Sequence, residues 1–428
     1  MRWATLGSAL IAGAAVAALF DLGVATPRAG AEESPVAVHG FVLGLFTGRT
    51  TGALPAGGSD YVLAEERLRL ELEGSSESGE AFFLAKGDVF HDAITGSFDV
   101  ELREAYAGYG GGPLEIRLGR HVATWGVGDL FFINDVFPKD WESFFAGRPM
   151  EYLKLGVDGL LLRQSSRYLD VELFVVPTFT PDTMPSSDRF VFPNPFGAAA
   201  IQREKEPNAT YSNTELALRL ARNLAGFDLA AYAYRGFWRT PALSADILTD
   251  PATVTRVYPE LSVYGFSAQR ALLGGVVSLE AGYYDSRQDR AGGDPVAPNS
   301  QWRFLIGHQR QLGEELTLGM QIYAETLEHY EAYRASLPSG APRQDRNRWV
   351  VSSRLTQLLH YQTWRLSVFA AYSPSDRDYF VKPEVTVKLT DSLAVLLGAS
   401  VFGGRHETTF FGQLDRSDNV SVGLRYDF

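Results

Sequence analysis

Val420-Ser421-Val422-Gly423-Leu424-Arg425-Tyr426-Asp427-Phe428 closes the sequence with an unbroken alternation. Val420, Val422, Leu424, Tyr426 and Phe428 share one parity, and Ser421, Gly423, Arg425 and Asp427 share the other. Side chains alternate across an extended strand, so this stretch has one apolar and one polar face. Soluble sheets contain such strands too. The pattern decides the fold only if the rest of the chain repeats it at greater length.

The rest of the chain does so. Eighteen segments have strand character, from 35–46, 59–74, 79–90, 99–109 and 113–123 through 254–268 to 392–402 and 419–428. Within 315–328, Leu316, Leu318, Met320, Ile322 and Ala324 oppose Thr317, Gly319, Gln321, Tyr323 and Glu325. These segments run ~10–15 residues, whereas strands of soluble proteins cluster near 5–6. Link lengths alternate as well. Short links such as 75–79, 110–112 and 390–391 follow even-numbered segments, and long ones such as 124–150, 180–211 and 329–345 follow odd-numbered ones. Short periplasmic turns opposite long extracellular loops are the asymmetry of an outer-membrane barrel. The expected fold is all-β: a transmembrane antiparallel up-and-down β-barrel of about 18 strands, or 16 if 35–46 and 59–74 pair differently. It must close, because an open edge in lipid leaves backbone groups without partners.

Residues 1–31 read as a secretory signal peptide. Arg2 supplies the basic start, Ala9 to Phe20 the apolar run, and Ala29-Gly30-Ala31 the small-x-small cleavage site. Residues 32–428 then form a single barrel domain. Removing 1–31 takes away Arg2, Arg28 and Asp21, so 39 basic and 51 acidic residues become 37 and 50. This acidic balance argues against nucleic acid as a partner. Cysteine is absent, and the seven histidines show no metal-binding spacing, so neither metal nor cofactor is expected. No apolar stretch after residue 31 is long enough for a transmembrane helix. Aromatics at 12% and 42 glycines suit girdle residues and tight turns.

A final strand ending in an aromatic resembles the C-terminal signature of Gram-negative outer-membrane barrels, in which Tyr426 and Phe428 would address the barrel-assembly machinery. Arg103-Glu104-Ala105-Tyr106-Ala107-Gly108-Tyr109, a Gly turn and Leu114-Glu115-Ile116-Arg117-Leu118-Gly119-Arg120 resemble the hairpin of general diffusion porins that precedes the loop folded into the pore. Trp125-Gly126 and Asn134-Asp135-Val136-Phe137-Pro138-Lys139-Asp140 are similar to an uncharacterised family of outer-membrane channel proteins. The resemblance implies a porin-like channel for ion and small-solute transport, Arg120 in the constriction, and a homotrimer as one assembly, with monomer or trimer left open.

The residues of loop 124–150 point the same way. It is 27 residues long, beyond the ~12–15 of ordinary loops. Leu130, Phe131, Phe132, Ile133, Val136, Phe137, Trp141, Phe144 and Phe145 need burial, and the lumen is nearest. Folded inward, the loop would carry Asp129, Asp135, Asp140 and Glu142 toward a wall of inward-facing arginines: Arg67, Arg69, Arg117, Arg219, Arg303, Arg354, Arg365 and Arg425. Acids on the loop against arginines on the wall would set a transverse field across a narrow aqueous passage. By parity Arg120 faces lipid, at ~2–4 kcal/mol if at mid-membrane, unless a bulge near Gly119 or a position at the rim relieves it. The alternative is a plugged lumen in which these charges pair.

The expected function is an outer-membrane porin-like channel for small polar solutes, anions or carboxylates among them, with outer-membrane lipid as its surroundings. Competing readings are a transporter or exporter of hydrophobic compounds, lipid or polysaccharide, and a structural barrel sheathing a periplasmic partner. An enzyme is not expected. No His has Ser two residues away on its strand, and His91-Asp92 and His406-Glu407 read as solvated loop pairs. The proline- and phenylalanine-rich loop 180–211, with Pro181, Pro185, Pro193, Pro195, Phe190, Phe192 and Phe196, reads as an ordered extracellular cap.

Overall fold

The computed structural model describes residues 36–193, 201–245, 253–337 and 341–428. The expected signal peptide, and Pro195 and Phe196 of the cap, lie outside them. In chain order the strands begin β1 (Val36–Arg49), β2 (Tyr61–Ser75), β3 (Ala81–Asp92), β4 (Ser97–Gly111), β5 (Leu114–His121), β6 (Val157–Gln164) and β7 (Asp170–Val176). Next come β8 (Ile201–Lys205), β9 (Glu215–Leu224), β10 (Phe227–Phe237), β11 (Ala242–Ala245), β12 (Thr253–Val257), β13 (Glu260–Leu272) and β14 (Gly275–Ser286). The last are β15 (Gln301–Gln311), β16 (Leu316–Leu327), β17 (Asn347–Leu359), β18 (Trp364–Ser373), β19 (Asp378–Lys388), β20 (Leu393–Gly404) and β21 (Asn419–Asp427).

All but β8, β11 and β12 join one antiparallel sheet of 18 strands. Each pairs with the next along the chain, and β1 pairs with both β2 and β21. The sheet is therefore a closed barrel. The 16-strand alternative fails because β1 and β2 stay in register from Val36↔Gly74 to Phe46↔Ala64. At the seam Gly40 and Phe428 exchange two backbone hydrogen bonds of 3.0 Å. A Cβ on Gly40 would collide with the carbonyl of Arg69 and the ring of Phe428, so a glycine is required where the first and last strands meet. Tyr426 lies in register between Val42 and Leu393.

The final strand has the orientation its parity implies. Val420, Val422 and Leu424 are half exposed on the outer face, while Asn419 is buried toward the lumen. Outward positions elsewhere are apolar: Leu70, Val100, Phe266, Ile306, Ile322 and Val368. Exposed aromatics mark both ends, with Trp302, Trp349 and Tyr379 toward the long loops and Tyr109, Tyr361 and Trp364 toward the short turns. An apolar band between aromatic girdles is what surrounding hydrocarbon demands.

Two features differ from the sequence expectation. The segment expected as one strand over 254–268 is two elements. Pro259 has no N–H to give a ladder, so β12 ends before it and the barrel strand β13 starts after it. β12 pairs antiparallel with β11 and parallel with β8, forming a small separate sheet from the long loops. The β-bulge also lies elsewhere than near Gly119. Between β3 and β4 the register slips from Lys86↔Glu104 to Gly87↔Leu102, leaving Arg103 as the extra residue. β5 runs through Gly119 with no shift against either β4 or β6.

Candidate functional site: the inward loop and its wall

From His121 the chain leaves β5, enters the lumen and returns to the wall only at Val157. A single carboxylate anchors its base. Glu280 of β14, almost fully buried, accepts the backbone N–H groups of Val127 at 2.9 Å, Gly128 at 3.1 Å and Asn134 at 2.7 Å. Gly126, at φ +78°, brings the chain this close; a Cβ there would press on the carboxylate. Asn134 seats in a notch made by Gly265 and Gly282, which face each other across β13 and β14. A Cβ on Gly265 would take the place of Asn134 Oδ1, and one on Gly282 would meet Ile133.

Beyond this anchor the loop crosses the barrel. The Asp129 N–H donates to Gln321 Oε1 of β16 at 3.1 Å, and its carboxylate takes both Nε and Nη2 of Arg354 on β17, at 2.6 and 3.0 Å. Phe131 stacks on Tyr323. The helix α1 (Trp141–Phe145) packs its rings against Phe380, Phe402 and Phe410. Thr47 Oγ1 then donates to the Ala146 carbonyl at 2.8 Å, and Arg148 meets Glu65 at 2.6 Å. The apolar residues that need burial in the sequence thus find it in the lumen, and Ile133, Phe137, Phe144 and Phe145 are all buried.

Of the four acids expected to face wall arginines, only Asp129 does. Asp135 lies between two lysines of the loop itself, Lys139 at 3.0 Å and Lys154 at 2.8 Å. Burial lowers the pKa of Lys139, opposed by Asp135. Asp140 caps α1, accepting the Ser143 N–H at 2.8 Å and hydroxyl at 2.6 Å, and burial pushes its carboxyl up. Glu142 turns to the cap, accepting from Ser186 N–H at 2.7 Å and Arg189 at 3.0 Å. A helix N-terminus and a buried lysine are nearer than the wall, and each takes an acid.

The wall arginines divide into locked and free. Arg67 is buried between Glu65 and Asp88, each at 2.6 Å. Arg69 meets Asp88 and Glu151, each at 2.5 Å, and Tyr152 at 2.8 Å. Arg103, made inward by the bulge, donates to the carbonyls of Glu151 and Lys154 and lies over the Tyr152 ring with Arg67 and Arg69. Arg425 reaches Glu151 at 2.9 Å and Asp427 at 2.8 Å. These arginines fasten the end of the loop to the wall. Arg117 pairs with Glu115 at 2.7 Å. Arg219, Arg303 and Arg365 have no carboxylate within 4 Å among the described residues.

Arg120 does not enter the constriction. It stays on the outer parity at the long-loop end of β5 and pairs with Asp158 at 2.9 Å. A rim position with a counter-charge removes the cost of an arginine in mid-membrane. The glycine before it is the demanding residue: Gly119 has φ +136°, and a Cβ would strike the carbonyl of Ala105. Arg120→Ala is accordingly expected to leave ion selectivity unchanged, as measured by reversal potential. A shift as large as that of an Arg354 variant would place Arg120 at the passage after all.

Around the loop the lumen opens into cavities. On the short-turn side lie three of about 400, 370 and 350 Å³. Arg354, Arg365 and Lys382 line the first, Arg117, Arg163 and Arg219 the second, and Asp129 with Arg354 the third. On the long-loop side lies one of about 620 Å³. Phe132 borders it and also the cavity of Arg365.

Residues 95–428 match the family model described as a protein of unknown function, DUF1302. The chain belongs to this family. No curated protein matches the DUF1302 chain in sequence. Among solved structures it is similar to OccK2 (OpdF) of Pseudomonas aeruginosa, determined in complex with glucuronate, at TM-score 0.57 and 11% identity over 92% of this chain and 98% of that one. OccAB3 of Acinetobacter baumannii aligns at TM-score 0.55 and 10% identity, over 92% and 99%. OccD3 (OpdP) of P. aeruginosa aligns at 0.55 and 10%, over 94% and 92%. These likenesses show that the DUF1302 chain has the fold of outer-membrane porins.

Glu280, Gln321, Arg103, Arg148 and Glu151 are the residues of this site that sequence reasoning passed over. Glu280 had one legible sign, as an acid on the inward parity of a strand whose inward neighbours Ser278 and Gly282 are small. Arg103 had none, because nothing local marks the bulge.

Proposed function

We propose that the chain is an outer-membrane channel passing small polar solutes, with a preference for anions, past a constriction at Phe132 and the Asp129–Arg354 pair. The observation that carries this reading is the division of the lumen by the inward loop, with cavities on both sides whose walls hold cations lacking carboxylate partners. Arg219 and Arg365 stand on the short-turn side and Arg303 on the long-loop side. Such charges, on the walls of a narrow aqueous passage, attract anions and repel cations. The outer apolar band and its aromatic girdles support residence in the outer membrane, reached through Tyr426 and Phe428 and the barrel-assembly machinery.

The test is single-channel recording of refolded protein in a planar bilayer under a KCl gradient. Stable open steps with a reversal potential of anion-preferring sign are expected. A bilayer left silent by correctly folded barrel would refute an open channel, and a cation-preferring reversal would refute the anion preference.

A further inference from the structure

The large cavity on the long-loop side has a chemistry that a passage for water and small ions does not require. One wall is aromatic, built from Phe131 and Trp141 of the loop with Phe369, Phe410 and Phe411. The other carries Arg303, whose guanidinium lies 3.9 Å from the centroid of Tyr284 and 5.8 Å from that of Trp238. The acid opposite Arg303 in register, Glu325, is taken by Arg348 at 3.7 Å and by the Tyr323 hydroxyl at 2.6 Å. Of the other acids lining the cavity, Asp135 is held by Lys139 and Lys154, Asp182 accepts from the Lys139 N–H and the Thr240 hydroxyl, and Asp294 accepts the Val296 N–H. Two further donors lining this cavity, Trp238 Nε1 and Arg348 Nη2, meet no acceptor among the described residues.

An inorganic ion would answer the cation but leave the aromatic wall unused. A neutral hydrocarbon would use the rings but leave Arg303 without a counter-charge in a poorly solvated place. A ligand with both parts satisfies both walls, since a few placed polar groups in a mostly apolar pocket set orientation and specificity. We propose that this cavity binds a monoanion with an apolar body about the size of one ring, its carboxylate against Arg303 and its body against Phe131 and the phenylalanine wall. The volume of about 620 Å³ accommodates such a molecule with room to pass on. This assignment names the solute class of the proposed channel and so rests on that reading.

The experiment is isothermal titration calorimetry on the full chain in detergent with three probes: 4-phenylbutyrate, butyrate and 4-phenylbutanol. 4-Phenylbutyrate should bind at least tenfold more tightly than butyrate, which shares its head, and than 4-phenylbutanol, which shares its body. Arg303→Gln should weaken 4-phenylbutyrate at least fivefold and leave 4-phenylbutanol within twofold, and Arg303→Lys should recover part of the loss. Heat-modifiable mobility on gels checks that each variant is folded. Equal affinity for 4-phenylbutyrate and butyrate, or an Arg303→Gln variant that binds as the wild type does, overturns the proposal. Conductance in KCl alone separates the two claims. An open channel that does not bind 4-phenylbutyrate refutes this site only, whereas tight, Arg303-dependent binding by a silent barrel refutes the channel and leaves the site standing.

Discussion

Replacing Glu280 with Ala releases the inward loop from the barrel wall and raises single-channel conductance at least twofold. The carboxylate accepts three backbone N–H groups at the loop's base, and they have no other acceptor among the described residues. A buried donor left without its partner costs roughly 1–3 kcal/mol, and three share one acceptor group here. The loop segment 126–134 relieves that cost by moving toward water, which empties the notch at Gly265 and Gly282 and widens the lumen. Glu280→Gln gives a smaller change of the same sign, because whichever way the amide turns its NH₂ group faces at least one backbone donor. Two measurements check this. Conductance reports the width, and limited chymotrypsin digestion reports exposure of the phenylalanines at 131 and 132. Unchanged conductance together with unchanged cleavage would show that the loop is held elsewhere, by α1 and Arg148.

Asp129 and Arg354 variants are expected to move ion selectivity in opposite directions. The pair joins the loop to the wall and is bidentate, a geometry in which charge-assisted bonds are strong. Its two charges cancel. Asp129→Asn leaves Arg354 as a bare cation on the walls of two lumen cavities, so the anion-to-cation permeability ratio rises several-fold. Arg354→Gln leaves Asp129 bare, and the ratio falls by a similar factor, enough to change the sign of the reversal potential at low salt where screening is weakest. The double variant returns close to the wild-type ratio, with larger conductance because the bond holding the loop to the wall is gone. Reversal potentials for all four proteins under one KCl gradient decide the matter. If both single variants shift the ratio the same way, the pair does not border the ion path.

Most of the barrel is legible in the linear chain, and the reason is local. A strand through hydrocarbon must show lipid one face over ten or more residues, so Leu316 to Ala324 and Val420 to Phe428 announce both their conformation and their orientation. The loop is legible on the same ground, since residues such as Phe131, Trp141 and Phe145 cannot remain in water. Legibility ends where side chains choose partners. Asp135, Asp140 and Glu142 carry the same charge as Asp129 and sit in the same loop, yet Lys139 and Lys154, the start of α1, and Arg189 of the cap take them. Arg67 and Arg425 have the inward parity expected of them, but acids on the same and adjacent strands and on the loop's return path hold them as fasteners.

Arg120 and Arg103 mark the boundary most plainly. Parity puts Arg120 outside, and the register bears parity out, with Asp158 beside it to make the position tolerable. Arg103 points inward among Glu101, Tyr152 and the carbonyls of 151 and 154 because β4 carries one residue more than β3 beside it. The sequence by itself determined a closed barrel of alternating strands and a loop that must be buried, because periodicity and burial are properties of neighbouring residues along the chain. Which charges meet, and that Glu280 holds a loop about 150 positions earlier, was decided only by the tertiary structure. Ion pairing and hydrogen bonding act over a few ångströms of space, and closure of the barrel brings together residues whose separation along the chain says nothing of their distance.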